Sequence, residues 1–168
     1  MGMTTPPNAG RAVMYSYIGL AIGDIASGWL SQIIGSRKRV VLLFIVLTTV
    51  CVGIYFSGAV RTPVMFYVLC VVMGFSIGYW AVFVTIGAEQ FGTNIRATVT
   101  TTVPNFVRGA VVLLTSAFTA LKGPVGILGS AGIIGAFSLL IAFLALTRLD
   151  ETYGKELNYV EEDHTAVS

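Results

Sequence analysis

Five apolar stretches, at 13–34, 40–59, 64–89, 100–121 and 126–147, fill most of the chain, and its polar residues are largely confined to the intervals between them. Each stretch approaches the roughly 20 residues that carry a helix across a bilayer core. The runs are too long and too uniformly apolar for barrel strands, which alternate over about 10 residues. In lipid a segment must satisfy its own backbone polar groups, which leaves the helix as the assignment. The pattern predicts an all-α membrane protein with five transmembrane helices. A polar leader at 1–12 precedes the bundle, and an acidic tail at 148–168 follows it.

The intervals carry recognisable stop and turn signals. Gly35-Ser36-Arg37-Lys38-Arg39 is a glycine turn followed by three cations, and Arg61-Thr62-Pro63 ends the second apolar run. Residues 90–99 are polar, with Gly92 and Asn94 as turn formers, and Lys122-Gly123-Pro124 reads as a sharp turn. Clustered Lys and Arg stay on the cytoplasmic side. Placing Arg37 to Arg39 inside also puts Arg96, Arg148 and Lys155 inside, against Arg11, Arg61 and Lys122 outside, a bias of six to three. The expectation is a multi-pass protein of the cell inner (plasma) membrane with a cytoplasmic C-terminus and an external N-terminus.

Composition sharpens the class. Charged residues are 11% of the chain and hydrophobic ones 55%, with a mean hydropathy of +0.85; a soluble domain carries about a quarter charged residues. The net charge of +2 is spread over turns rather than along one face, which excludes a nucleic-acid partner. Cys51 and Cys70 fall inside apolar runs and read as small core hydrophobes, without metal or disulfide spacing. Nothing calls for a metal or cofactor, and no grouped His, Cys or Ser/His/Asp set supports an enzyme. The first ten residues lack the basic and apolar regions of a signal peptide.

Small and polar residues inside the spans carry the remaining information. Gly19 and Gly23, like Gly74 and Gly78, are four apart, which permits close helix approach. The row Gly123, Gly126, Gly129, Gly132, Gly135 steps by three and winds around a helix, and close packing is its expected role. Asp24 lies eleven residues before Gly35, about 16 Å deep, and Arg108 lies eight after Thr100, about 12 Å deep. A charge at such depth costs several kcal/mol unless paired or wet. Two readings stand: a functional pair, or an ion pair that only locks the bundle. Asn105 shares a helix face with Arg108, and Tyr79 and Trp80 sit mid-span, where they either line a solute pathway or simply pack. Pro104 is either a hinge or a helix start, and the threonines before it favour the start.

The intervals also resemble a known family. Gly28-Trp29-Leu30-Ser31-Gln32-Ile33-Ile34-Gly35-Ser36-Arg37-Lys38-Arg39 is similar to the loop signature of the major facilitator superfamily, with Gln32 where an Asp is usual and Ile33 where a basic residue is usual. Glu89 and Arg96, six residues between them, resemble the Glu-x6-Arg element of its sugar-porter-like branch. Asp150-Glu151-Thr152-Tyr153-Gly154-Lys155 resembles the Pro-Glu-Thr-x-Gly element after the last helix, with Asp150 where Pro is usual.

The resemblance implies helices eight to twelve of a twelve-helix transporter, a partial second half whose N-terminal half is missing. It implies a cytoplasmic gate network of Arg37, Lys38, Arg39, Glu89, Arg96 and Glu151, around a loop motif of Gly28, Gln32 and Gly35. The implied function is transport of a small organic solute (a sugar, organic acid or similar), with proton symport as one form of coupling. Asp24, Arg108, Asn105, Tyr79 and Trp80 are then the substrate or coupling candidates. The partners are the lipid bilayer, the missing half and the solute. The alternative is a non-transporting membrane subunit that scaffolds a partner protein.

Overall fold

A computed structural model of the chain describes residues 6–155, and the described residues are helical apart from short connections. The helix starts follow local chemistry. Asn8 caps α1 (Ala9–Ile34) by accepting the Arg11 N–H at 3.1 Å, Ser36 caps α2 (Arg37–Phe56) by accepting that of Arg39 at 3.2 Å, and Thr62 caps α3 (Pro63–Ser76) by accepting that of Met65 at 3.2 Å. Pro63 occupies the first turn of α3, where its missing N–H costs nothing. Gly35 ends α1 with φ 62°, a left-handed cap that suits glycine. Two helices follow, α4 (Trp80–Glu89) and α5 (Thr93–Arg148).

The third apolar stretch was expected to form one continuous helix. Instead it stops at Ser76 and restarts at Trp80. Across the break the ladder tightens: the Gly78 N–H donates to Phe75 O at 3.0 Å and the Tyr79 N–H to Ile77 O at 3.0 Å. The cause is the neighbour. A Cβ on Gly78 would lie 2.7 Å from both Gly23 Cα and the Asp24 nitrogen, so the connection is pressed against the α1 backbone. Irregular backbone at membrane depth survives only where its polar groups find partners. Here the Thr48 hydroxyl lies 3.0 Å from the Ser76 carbonyl, and Asp24 Oδ1 accepts the Ala81 N–H at 3.3 Å.

Both glycine pairs meet at one seam. A Cβ on Gly19 or Gly23 would run into the Val71 or Phe75 carbonyl, and one on Gly74 into that of Ser16. The backbones of α1 and α3 thus touch along the seam, as four-residue glycine spacing allows. Beside it, Phe44 of α2 stacks on Phe75 at 5.5 Å between ring centroids. A second apolar cluster joins Val41 and Ile45 of α2, Val82 and Ile86 of α4, and Leu146 near the end of α5.

At 56 residues α5 would measure about 84 Å if straight. It is not straight. Gly126 has φ 74° and ψ 175°, outside the helical region. Val103 and Ala145 line the same cavity, of about 310 Å³, although a straight helix would hold them about 60 Å apart. The helix therefore doubles back at Gly126. The turn expected at Lys122-Gly123-Pro124 falls a few residues later, because glycine alone takes that backbone geometry without strain. The glycine row is accordingly not one packing motif: Gly126 breaks the helix, and Gly132 lies against the Phe56 ring. Pro104 sits inside the helix, whose start is at Thr93, so the helix-start reading of Pro104 is corrected.

Among the described residues, four helices are long and apolar enough to cross a membrane, with Pro63–Glu89 counted as one. Their outward faces are strongly apolar: Trp29, Ile25 and Phe106 are 69%, 76% and 80% exposed. So much exposed apolar surface would drive association in water and is at home in lipid.

Candidate functional site

Charged and hydroxyl side chains from three distant parts of the sequence meet at one end of the bundle. Glu89, at the last position of α4, is 9% exposed. Its carboxylate faces Arg37, in the first turn of α2, as a fork: Nη2 donates to Oε1 at 3.1 Å and Nε to Oε2 at 3.4 Å. The Thr152 hydroxyl donates to the same Oε2 at 2.7 Å. Arg37 also donates through Nη1 to Ser31 Oγ at 2.6 Å and lies over the Tyr153 ring, 5.2 Å from its centroid. All three nitrogens of that guanidinium donate, and one of its faces lies over the tyrosine ring. Two-pronged carboxylate–guanidinium pairs are the strong form of such bonds.

Glu151 makes the second centre. Its carboxylate accepts the N–H of Arg37 at 2.9 Å and of Lys38 at 3.3 Å, together with the Ser36 hydroxyl. Those amides are the open start of α2, where the helix dipole favours a negative charge. Burial by itself would raise the Glu151 pKa, but the bonds from Ser36 and from the amides of Tyr153, Arg37 and Lys38 outweigh it and hold the carboxyl below its ordinary 4.5. Lys38 Nζ donates to the Leu149 carbonyl at 2.7 Å. The chain after α5 is thereby clamped to the head of α2.

The remaining motif residues divide. Arg96, in the first turn of α5, donates through Nε to the Ala88 carbonyl at 2.9 Å and through Nη2 to that of Phe91 at 3.1 Å, which secures the turn between α4 and α5. Gln32 accepts the Tyr153 hydroxyl at 3.4 Å, and the space above Gly35 is occupied by the Tyr153 ring. Gly28 has open space where a side chain would be. Arg39 stands apart: it is exposed, and its side chain bonds to no described residue.

The mid-depth candidates occupy separate places. Asp24 and Arg108 do not pair; Asp24 accepts the Ala81 N–H near the start of α4, and Arg108 Nη1 donates to Asn105 Oδ1 at 3.2 Å on its own helix. The reason is position. Asp24 is drawn to the open amides of α4, whereas Arg108 and Asn105 lie on an exposed face of α5. The Tyr79 ring turns toward α2, 6.2 Å from that of Phe44, and borders the 310 Å³ cavity. Trp80 lies beside Phe83, the two rings tilted with centroids 5.5 Å apart, and is 39% exposed.

Sequence reasoning missed Ser31, Ser36, Thr152 and Tyr153 at the cluster, and Thr48 and Ser76 at the helix break. Ser36 was findable, as a capping residue between a glycine turn and an apolar run. Ser31, Thr152 and Tyr153 lie within the family-like motifs but were given no role there, and Thr48 and Ser76 carry no local signal. Apart from Ser31, whose partner Arg37 is six residues on, each meets a partner 28 or more residues away.

The fold and its polar cluster define an all-α protein built from helices with the length and composition of membrane spans. No protein-family model, curated protein or solved structure matches the chain.

Proposed function

We propose that the chain forms helices eight to twelve of a secondary transporter like those of the major facilitator superfamily, crossing the membrane five times and moving a small organic solute. The observation that carries this reading is the meeting of three sequence motifs at one charged layer, centred on the Arg37–Glu89 pair at 3.1 Å. The layer ties the loop after α1, the end of α4 and the chain after α5. Such a tie holds one face of a bundle closed, and its rupture frees the helix ends to part, as alternating access requires. The doubling back at Gly126 supports the fifth crossing. By the positive-inside bias, the charged layer is cytoplasmic.

Asp24 sits where coupling would act. Its carboxylate links α1 to the second half of a broken span. Asn105 and Arg108 lie about 18 Å and 22 Å along α5 from its start at Thr93. A guanidinium at that depth is costly against hydrocarbon, so this face meets water, solute or the rest of the transporter.

The test is uptake by cells expressing the full reading frame that encodes this chain. Glu89→Ala and Arg37→Ala should depress flux severely, whereas Lys122→Ala, beyond the opposite end of the bundle, should not. Equal effects at all three positions would remove the gate. Flux lost in Asp24→Asn would favour transport over a passive scaffold.

A further inference from the structure

Two exposed cations at this end of the bundle, Arg39 and Arg148, lie beside an apolar trough and a hollow that adjoins it. Arg39 and Arg148 are exposed, and their side chains bond to no described residue. Between α2 and the returning half of α5 runs an open trough of about 390 Å³, with Lys38, Arg39 and Thr147 at its mouth and Leu42, Phe143 and Leu146 along it. An adjoining hollow shares Leu144 and Thr147 with it and is bordered by Arg148.

From these observations we propose that the trough is a binding site for an anionic phospholipid of the leaflet on the Arg37–Arg39 side. The headgroup phosphate lies between Arg39 at the trough and Arg148 at the adjoining hollow, and the first carbons of one acyl chain follow Leu42, Phe143 and Leu146. Charge complementarity selects an anion, since guanidiniums bind phosphate well. The apolar trough selects a lipid over a free phosphate ion, which gains nothing from leucine and phenylalanine walls. Position agrees: the cations sit in the first turn of α2 and the last turn of α5, with Leu42 three residues after Arg39 and Phe143 five before Arg148, so the apolar walls begin within about one and a half turns of the charges. Basic pockets between spans at a membrane face hold anionic headgroups in this way. Lys38 is already committed to the Leu149 carbonyl and steadies the mouth rather than the phosphate.

Lipid binding at the trough does not depend on transport and can be measured on this chain alone. The chain is placed in nanodiscs of phosphatidylcholine doped with dioleoyl phosphatidylglycerol, and lipid retention is read by native mass spectrometry. Wild type should retain phosphatidylglycerol over phosphatidylcholine. Arg39→Gln or Arg148→Gln should each weaken retention roughly fivefold, and the pair together roughly twenty-five-fold. Lysine at both positions should preserve most of it. Arg61→Gln and Lys122→Gln, far from the trough, should change nothing, and circular dichroism checks that each variant is folded. Should the double variant fail to fold, the single variants carry the comparison. Equal retention of both lipids, or equal losses from all four Gln substitutions, would overturn the site. So would retention of glycerophosphoglycerol, the headgroup without chains, as strongly as the intact lipid.

Discussion

Alanine at Gly74 tests the closest packing in the molecule. Gly74 lies within α3, where alanine by itself gains about 1 kcal/mol of helix propensity over glycine. The seam with α1 opposes this gain. A Cβ at Gly74 would lie 2.8 Å from the Ser16 carbonyl carbon and 3.0 Å from Ser16 Cα, and would overlap the Ser16 oxygen. Ordinary contact begins at 3.4 Å, so clearing the carbonyl carbon alone parts the two backbones by about 0.6 Å, and clearing the overlapping oxygen parts them further. A radial gap of 0.5–1 Å forfeits a quarter to a half of each dispersion well along the seam. Backbone cannot swing aside as a side chain can, and overpacking of this kind costs about 1–3 kcal/mol. The expected result is net destabilisation. Gly53→Ala in α2, where nothing lies within 4 Å of the added carbon, should keep the propensity gain and stabilise. Equilibrium unfolding by SDS in mixed micelles, followed by circular dichroism, compares the two. Opposite signs are expected. If Gly74→Ala stabilised the chain as Gly53→Ala does, the backbones would not be in contact and the seam would not hold α1 to α3.

Two further outcomes follow from single positions. Glu151 has its pKa held below the ordinary 4.5, so its stabilising hold on the start of α2 is complete above that value and is lost as pH falls through the lower, folded value. Protection of the Arg37 and Lys38 amides against hydrogen exchange, taken relative to the intrinsic rate at each pH, should therefore fall below about pH 4.5 in wild type and be low and independent of pH in Glu151→Gln; wild-type protection that does not change with pH would refute the carboxylate clamp. At Gly126 the backbone lies in a region open essentially to glycine, so alanine should cost about 1–3 kcal/mol although nothing crowds the site, whereas Gly135→Ala, within the helix and equally uncrowded, should be neutral or better. Equal stability of the two variants would mean that α5 does not turn at Gly126.

The sequence by itself determined the class and the scaffold. Runs of about 20 apolar residues have one stable form in lipid, and Asn8, Ser36, Thr62 and Pro63 mark helix starts by local hydrogen bonding alone. The glycine pairs announced a close seam, because four-residue spacing puts both on one face. The charged motifs marked where an ionic layer would form, since Glu89, Arg96 and Glu151 fall at helix ends. Tertiary structure alone decided who bonds to whom. Asp24 had to find donors at its depth, but hydropathy gives no distances between helices, and the donor turned out to be a backbone amide of α4 rather than Arg108. The break at 77–79 is invisible in an apolar run, because it is imposed by the backbone of α1 and made affordable by Thr48 and Asp24 from two other helices. Thr152 and Ser31 stand inside family-like motifs, but only the fold sets them beside Glu89 and Arg37. Local pattern records how a residue meets its solvent and its own helix; pairing across more than a hundred residues, as between Ser36 and Glu151, is fixed only when the helices assemble.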